Sequence, residues 1–136
     1  SSCHAYICSS KAGACEMGIL EAQACGLPVL TTDWTFMCEN IVHGKTGFLI
    51  PIDGYDIQRK PKEGGVTGKG RIWGNISVDK LAEKMIYLAE NPKRSWKMGF
   101  NGLEHVRKNY NWKDIAFDFY EAIMNDYQNL YRKRGG

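Results

Sequence analysis

Residues 21–33, Glu-Ala-Gln-Ala-Cys-Gly-Leu-Pro-Val-Leu-Thr-Thr-Asp, constrain the fold of this chain more than any other stretch. Gly26 can take the left-handed conformation that closes a helix, and Pro28 cannot continue one. Val29, Leu30, Thr31 and Thr32 then have the apolar, β-branched character of a strand covered on both faces. The segment reads as a helix end, a glycine stop and a short buried strand. Strands of that kind build parallel sheets. On the preceding helix, Glu21 can face the cleft at the carboxyl ends of the strands, where open α/β sheets bind ligands.

The flanking sequence extends this pattern. Residues 5–9 predict a short strand, 10–15 a loop, and 16–25 the helix that Gly26 ends. A short helix is expected over 37–42, and a third strand over 48–50, entered through a turn at Gly44 and Gly47. Strand and helix alternate as in a parallel sheet with crossover connections, an α/β fold. Residues 51–76 break the pattern: they are rich in Gly, Lys and Arg and read as an insertion loop, functional or mobile. Within it, Gly64 to Gly70 is not a phosphate loop. Glu63 stands where that motif needs its first glycine, and Gly70 where it needs Ser or Thr.

Three helices are expected after the loop. Ser77 caps the first, with Val78, Leu81, Met85 and Leu88 on one stripe. Pro92 opens the second at the tolerated first position, with Trp96, Phe100, Leu103 and Val106 as its buried face. Asn111 caps the last, whose Trp112, Ile115, Ala116, Phe119, Ile123 and Tyr127 read as core. The tail from Tyr131 is expected to fray.

Chemistry is best placed at the turn Ser10-Lys11-Ala12-Gly13-Ala14-Cys15-Glu16-Met17-Gly18, which follows a strand and opens a helix. Unpaired backbone N–H groups and the helix dipole make such a turn an anion site, suited to a diphosphate. Small residues at 12–14 let the backbone approach a ligand.

Several segments also carry a family resemblance. Glu-Ala-x-Ala-Cys-Gly-x-Pro-Val (residues 21–29) is followed by Thr-Asp, by Glu39 six residues after Asp33, and by Gly-Lys-Thr-Gly-Phe-Leu-Ile (44–50). Asn111-Trp112 opens the final helix. Together these resemble the carboxyl-terminal, nucleotide-sugar-binding domain of GT-B glycosyltransferases, the family-four retaining group most closely. The resemblance implies a three-layer, Rossmann-like parallel sheet of few strands with three C-terminal helices. It implies one partial donor-binding domain over 1–136, in a fragment or one subunit of a split enzyme that is inactive alone.

The same resemblance implies a transferase that moves a sugar from a UDP-, GDP- or ADP-sugar to a sugar, lipid or protein acceptor. Glu21 would hold the ribose hydroxyls. Gly13, Ala14, Cys15, Glu16, Met17 and Gly18 would form the diphosphate and donor-sugar loop. Lys11, Thr32, Asp33, Trp34 and Thr35 would flank the pocket. No metal or other cofactor is expected, because relatives neutralise the leaving diphosphate with an Arg/Lys pair. That pair lies in a half of the domain whose pattern this chain lacks, and an amino-terminal acceptor domain is expected in cis or in trans. Relatives cross their final helix onto that other domain, which would leave Trp112, Tyr120 or Tyr127 exposed here. One departure stands out. Gly13 occupies the place of a glutamate that in relatives touches the donor sugar, and Ala14, Cys15 and Glu16 replace Gly, Phe and Gly. A non-catalytic nucleotide-binding or interaction module derived from a glycosyltransferase is the alternative.

Composition adds limits. The formal charge of +3 permits anionic ligands or peripheral contact with an acidic membrane but demands neither, and no nucleic-acid partner is expected. No apolar run approaches the roughly 18–20 residues of a membrane span. Cys3, Cys8, Cys15, Cys25 and Cys38 include no Cys-x-x-Cys pair, so they read as small buried hydrophobes in a reducing, cytoplasmic setting rather than zinc ligands. A sheet with missing neighbours would expose an edge, which leaves room for self-association.

Overall fold

The computed structural model describes residues 3–11, 16–57 and 72–134. Its centre is a parallel sheet of three strands, β1 (Tyr6–Cys8), β2 (Val29–Thr32) and β3 (Gly47–Ile50), with β2 in the middle. Tyr6 pairs with Val29 and Val29 with Gly47, so the strands start level. All four residues of β2 are buried, as its composition requires. Alternate residues feed two cores. Val29 joins Cys8, Ile19, Ala22, Met37 and Ile41 on one face. Leu30 joins Phe48, Ile50, Leu88 and Met98 on the other. Helices cover both faces, so the architecture is three-layered α/β.

Helix α1 (Met17–Ala24) ends as the sequence dictates. Gly26 has φ +74°, its N–H donates to the Gln23 carbonyl at 2.8 Å, and the Leu27 N–H donates to the Ala22 carbonyl at 3.0 Å. This is a Schellman motif, and it satisfies carbonyls that the helix end would leave orphaned. The Gly-Lys-Thr-Gly turn is equally structural. Gly44 has φ +74°, and the buried Thr46 hydroxyl accepts from the Val42 N–H at 3.0 Å. A side chain at Gly47 would collide with the Val29 carbonyl.

Five expectations are corrected. The short helix lies at Thr35–Cys38 as a 3-10 turn rather than over 37–42. Ile41, on the extended segment after it, is buried. Residues 51–76 are not simply a loop: β4 (Ile52–Ile57) and β5 (Ile72–Ile76) pair antiparallel, with an irregularity between Ile52 and Gly54. The rejected phosphate-loop segment lies outside the described residues. Ser77 sits at the cap position of α2 (Val78–Glu90), but its side chain makes no capping bond. Only its carbonyl engages the helix, accepting from the Leu81 N–H at 2.9 Å.

The fourth and fifth corrections concern buried faces and cysteines. On α2, Leu88 is buried and Leu81 half-buried, while Val78 and Met85 are exposed. On α3 (Pro92–Asn109), Trp96 is 71% exposed and Phe100 46%; the buried residues are Ser95, Met98, Gly99 and Gly102. The reason is close approach. A side chain at Gly99 would overlap the Gly26 carbonyl oxygen, so α3 meets α1 through its smallest residues. Helix α4 (Trp112–Arg134) is capped as expected, Asn111 Oδ1 accepting from the Lys113 N–H at 3.0 Å. Its Trp112, Ile115, Phe119, Ile123 and Tyr127 are not core; they are exposed, as is Tyr120. Among the described cysteines only Cys8 is buried, Cys38 is half-buried, and Cys3 and Cys25 are exposed. Cys15 lies outside the described residues.

Candidate functional site

The carboxyl end of β1 runs into Ser9, Ser10 and Lys11, and α1 begins at Met17. Two bonds hold the base of this connection. Ser10 Oγ donates to Glu16 Oε1 at 3.0 Å, which joins its two ends. Thr32 Oγ1 donates to the Ser10 carbonyl at 3.2 Å, which ties it to the end of β2. Thr32 is fully buried, so it braces the turn from below rather than flanking an open pocket. Gly13, Ala14 and Cys15 lie outside the described residues. Met17 is exposed, and Gly18 admits the Tyr6 ring, whose hydroxyl would sit 2.5 Å from a side-chain carbon there.

Glu16 occupies the N-cap position of α1 but makes no capping bond. Glu21, one turn beyond Met17, is exposed, and its carboxylate has no partner among the described residues. Ile19, Ala22 and Gln23 anchor the helix beneath it. Gln23 is fully buried and donates to the Asn40 carbonyl at 2.8 Å. The two glutamates give this region a negative field. Burial raises the Tyr6 phenol above its ordinary range, and the charges of Cys8, Glu16 and Glu21 raise it further.

Asp33, Trp34 and Thr35 lie at the carboxyl end of β2. The Asp33 N–H donates to the Ile50 carbonyl at 2.7 Å, and its side chain is exposed. Thr35 has φ 55°, the left-handed region, and is alone in this among described non-glycine residues. Such a conformation costs on the order of 1–3 kcal/mol and persists where surroundings enforce it. Here the Cys38 thiol donates to the Thr35 carbonyl at 2.8 Å. Burial and a bond to Asp33 push that thiol above its usual range.

The β4–β5 hairpin closes over this edge, which the sequence reading missed. Lys11 Nζ pairs with Asp56 Oδ2 at 3.2 Å, and the Gly74 N–H donates to the Lys11 carbonyl at 3.4 Å. Trp34 packs against Tyr55, ring centres 5.2 Å apart, and against Gly74, where any side chain would press on the indole. The indole Nε1 is buried without a partner among the described residues. A bond from Asn75 and the adjacent Lys11 hold the Asp56 carboxyl below its ordinary value. Ile52, Tyr55 and Ile57, with Ile72, Trp73 and Ile76 beyond a Gly/Lys-rich run, are the signal that would have revealed the hairpin.

Among the described residues no three His, Cys, Asp or Glu side chains are grouped as a metal ion would need. No described helix is long and apolar enough to cross a membrane.

Residues 1–60, which hold the whole β1–turn–α1–β2 unit and Glu21, match the family described as Glycosyl transferases group 1. The fold is similar to that of sucrose-phosphate synthase from Thermosynechococcus elongatus, with a TM-score of 0.61 at 21% identity. That similarity covers 87% of this chain and 23% of the synthase chain. The first 60 residues are therefore similar to group 1 glycosyltransferases, and the chain has an α/β fold resembling that of a GT-B domain.

Proposed function

We propose that this chain is the donor-binding part of a retaining glycosyltransferase that uses a UDP-, GDP- or ADP-sugar. One observation carries the reading. The family match falls on the turn that opens α1, and on the next turn of that helix Glu21 presents a carboxylate without a partner among the described residues. An ionised carboxylate offers two acceptor oxygens, which suits the paired hydroxyls of a ribose. The N–H groups at the start of α1 suit the diphosphate. Transfer in such a site rests on positioning and on stabilising the charge of the departing diphosphate, without a metal ion. The acceptor, a sugar, lipid or protein, would meet the donor from an acceptor domain in cis or in trans, at the cytoplasmic side or a membrane surface.

Isothermal calorimetry with UDP, GDP and ADP tests this. Binding of one nucleotide, lost in Glu21→Ala, is expected. Equal affinity in the variant refutes the ribose role.

A second reading has its own support. Gly13 stands where a sugar-contacting glutamate would be, and Glu16 puts a carboxylate at the N-cap, where it opposes a bound anion. Both features favour a non-catalytic nucleotide-binding module. Transfer activity gained by Gly13→Glu, in the chain joined to its acceptor domain, would decide for a decayed transferase site.

A further inference from the structure

A second cleft lies at the other end of the sheet. The candidate donor turn follows the carboxyl end of β1, whereas this cleft opens at Gly44 and Lys45, just before β3 begins at Gly47. It lies between that turn, α2 and α3, and has a volume of about 580 Å³, within the range of small-molecule sites. Four cations line it: Lys45, Lys84, Arg94 and Lys97. The rings of Phe48 and Tyr87 form an apolar wall. None of the described lining residues is acidic.

Two of the cations have side-chain contacts that hold them. Arg94 NH1 donates to the Tyr87 hydroxyl at 2.8 Å, which fixes the guanidinium and leaves its other donors free for a ligand. Lys84 Nζ stands 5.5 Å from the centre of the Phe48 ring. Its contact with Glu83 at 2.8 Å offsets part of its charge. Lys45 sits in the turn that Asn101 Nδ2 pins to α3 by donating to the Lys45 carbonyl at 3.1 Å. Lys97 follows Arg94 by one helical turn. A guanidinium fixed as Arg94 is loses little freedom when it binds.

We infer that this cleft binds a phosphate group carried by a small organic molecule, with Lys45, Arg94 and Lys97 on the phosphate and the Phe48–Tyr87 wall against the carrier. Several cations lining one cleft match a multiply charged anion with several acceptor oxygens. A planar guanidinium meets two of those oxygens at once. The ring wall gives a place to an apolar or cyclic carrier that free phosphate would leave empty. The site is independent of the donor reading, since it shares no residue with the β1–α1 turn.

Amide chemical-shift mapping with inorganic pyrophosphate as the probe tests it. Shifts are expected at 44–48, 84–88 and 94–101, and they should persist in Glu21→Ala. Arg94→Gln and Lys97→Gln should each weaken binding about tenfold, as loss of one charge-assisted bond predicts, and the pair about a hundredfold. Lys45→Gln, in a turn whose fold rests on Thr46 and Asn101, is the check that fold loss is not the cause. Sedimentation with phosphatidylcholine vesicles doped with phosphatidylserine distinguishes the sources. Co-sedimentation lost in the double variant identifies a lipid headgroup, and pyrophosphate shifts without co-sedimentation identify a soluble phosphate. Shifts absent from the cleft, or binding unchanged in the double variant, overturn the inference.

Discussion

Replacing Gly99 with alanine tests whether α3 fixes the position of α1 and hence of Glu21. On an exposed helix the change would stabilise by about 1 kcal/mol, because alanine loses less backbone freedom than glycine. Here the added methyl overlaps the Gly26 carbonyl oxygen and lies 2.8 Å from the carbonyl carbon and 3.2 Å from Pro28 Cδ. Ordinary carbon contacts are about 3.5–4.0 Å. The obstructing atoms cannot swing away. They belong to backbone locked by the Gly26 and Leu27 N–H bonds of the Schellman motif, and to a proline ring. Relief requires α3 to retreat on the order of 1 Å, and overpacking of this kind costs about 3 kcal/mol at its upper end. The expected net effect is a loss of about 2 kcal/mol. Gly102→Ala is the control. Its nearest neighbours are Gln23 side-chain atoms at 3.1–3.4 Å, able to yield slightly, so cost and propensity gain should nearly cancel. Urea unfolding followed by far-UV circular dichroism measures both. A Gly99→Ala protein as stable as the parent, or less affected than Gly102→Ala, would refute the argument.

The remaining predictions concern charge. Asp56, bonded by Asn75 and Lys11, should titrate below the ordinary aspartate value, and Asn75→Ala or Lys11→Ala should each raise it in an NMR titration. A depressed carboxyl supports the fold above its unfolded pKa, and that support fades as pH falls through the folded value. An Asp56 midpoint that neither variant moves would mean the hairpin does not rest on Lys11 as described. Glu83, bonded by Lys84 and Lys80, should titrate at about 2, so its contribution is complete above about 4.5 and lost between those values as pH falls. In Lys84→Ala its midpoint should rise.

What the sequence disclosed was governed by the backbone. Gly26 and Pro28 forced the helix stop, and the run Val29–Thr32 could only be a covered strand. Pro92 and Asn111 placed two helix starts. Spacing failed where contact depended on size rather than hydrophobicity. The Trp96–Phe100 stripe is the strongest apolar signal on α3, yet Gly99 and Gly102 are its packing face, because only they admit the neighbouring chain turn. Hydropathy assigns glycine no preference, so the close approach was invisible. The hairpin was hidden for a related reason. Its strands flank a long Gly/Lys-rich run, and the Lys11–Asp56 contact joins residues 45 positions apart. Around the candidate site, the helix that carries Glu21 was legible; the burial of Thr32 and the pairing of Lys11 required the tertiary structure.

Charge distribution then says what this segment can and cannot supply to a nucleotide sugar. Around the β1–α1 turn the described groups are mostly acidic: Glu16 at the N-cap, Glu21 on the helix and Asp33 beyond β2. Lys11 is the cation of that turn, and Asp56 already engages it. The free cations gather at the opposite end of the sheet, around Lys45, Arg94 and Lys97. Backbone N–H groups at a helix start contribute only partial charge, and a nearby carboxylate subtracts from it. On the proposed donor-binding reading, the described residues would recognise hydroxyl groups rather than neutralise a leaving diphosphate. If sugar transfer occurs, the compensating charge must come from groups other than these, or from Lys11 once the hairpin releases it. On the proposed reading, nucleotide recognition through Glu21 and charge stabilisation of the transfer step are separable, and a segment can keep the first after losing the second.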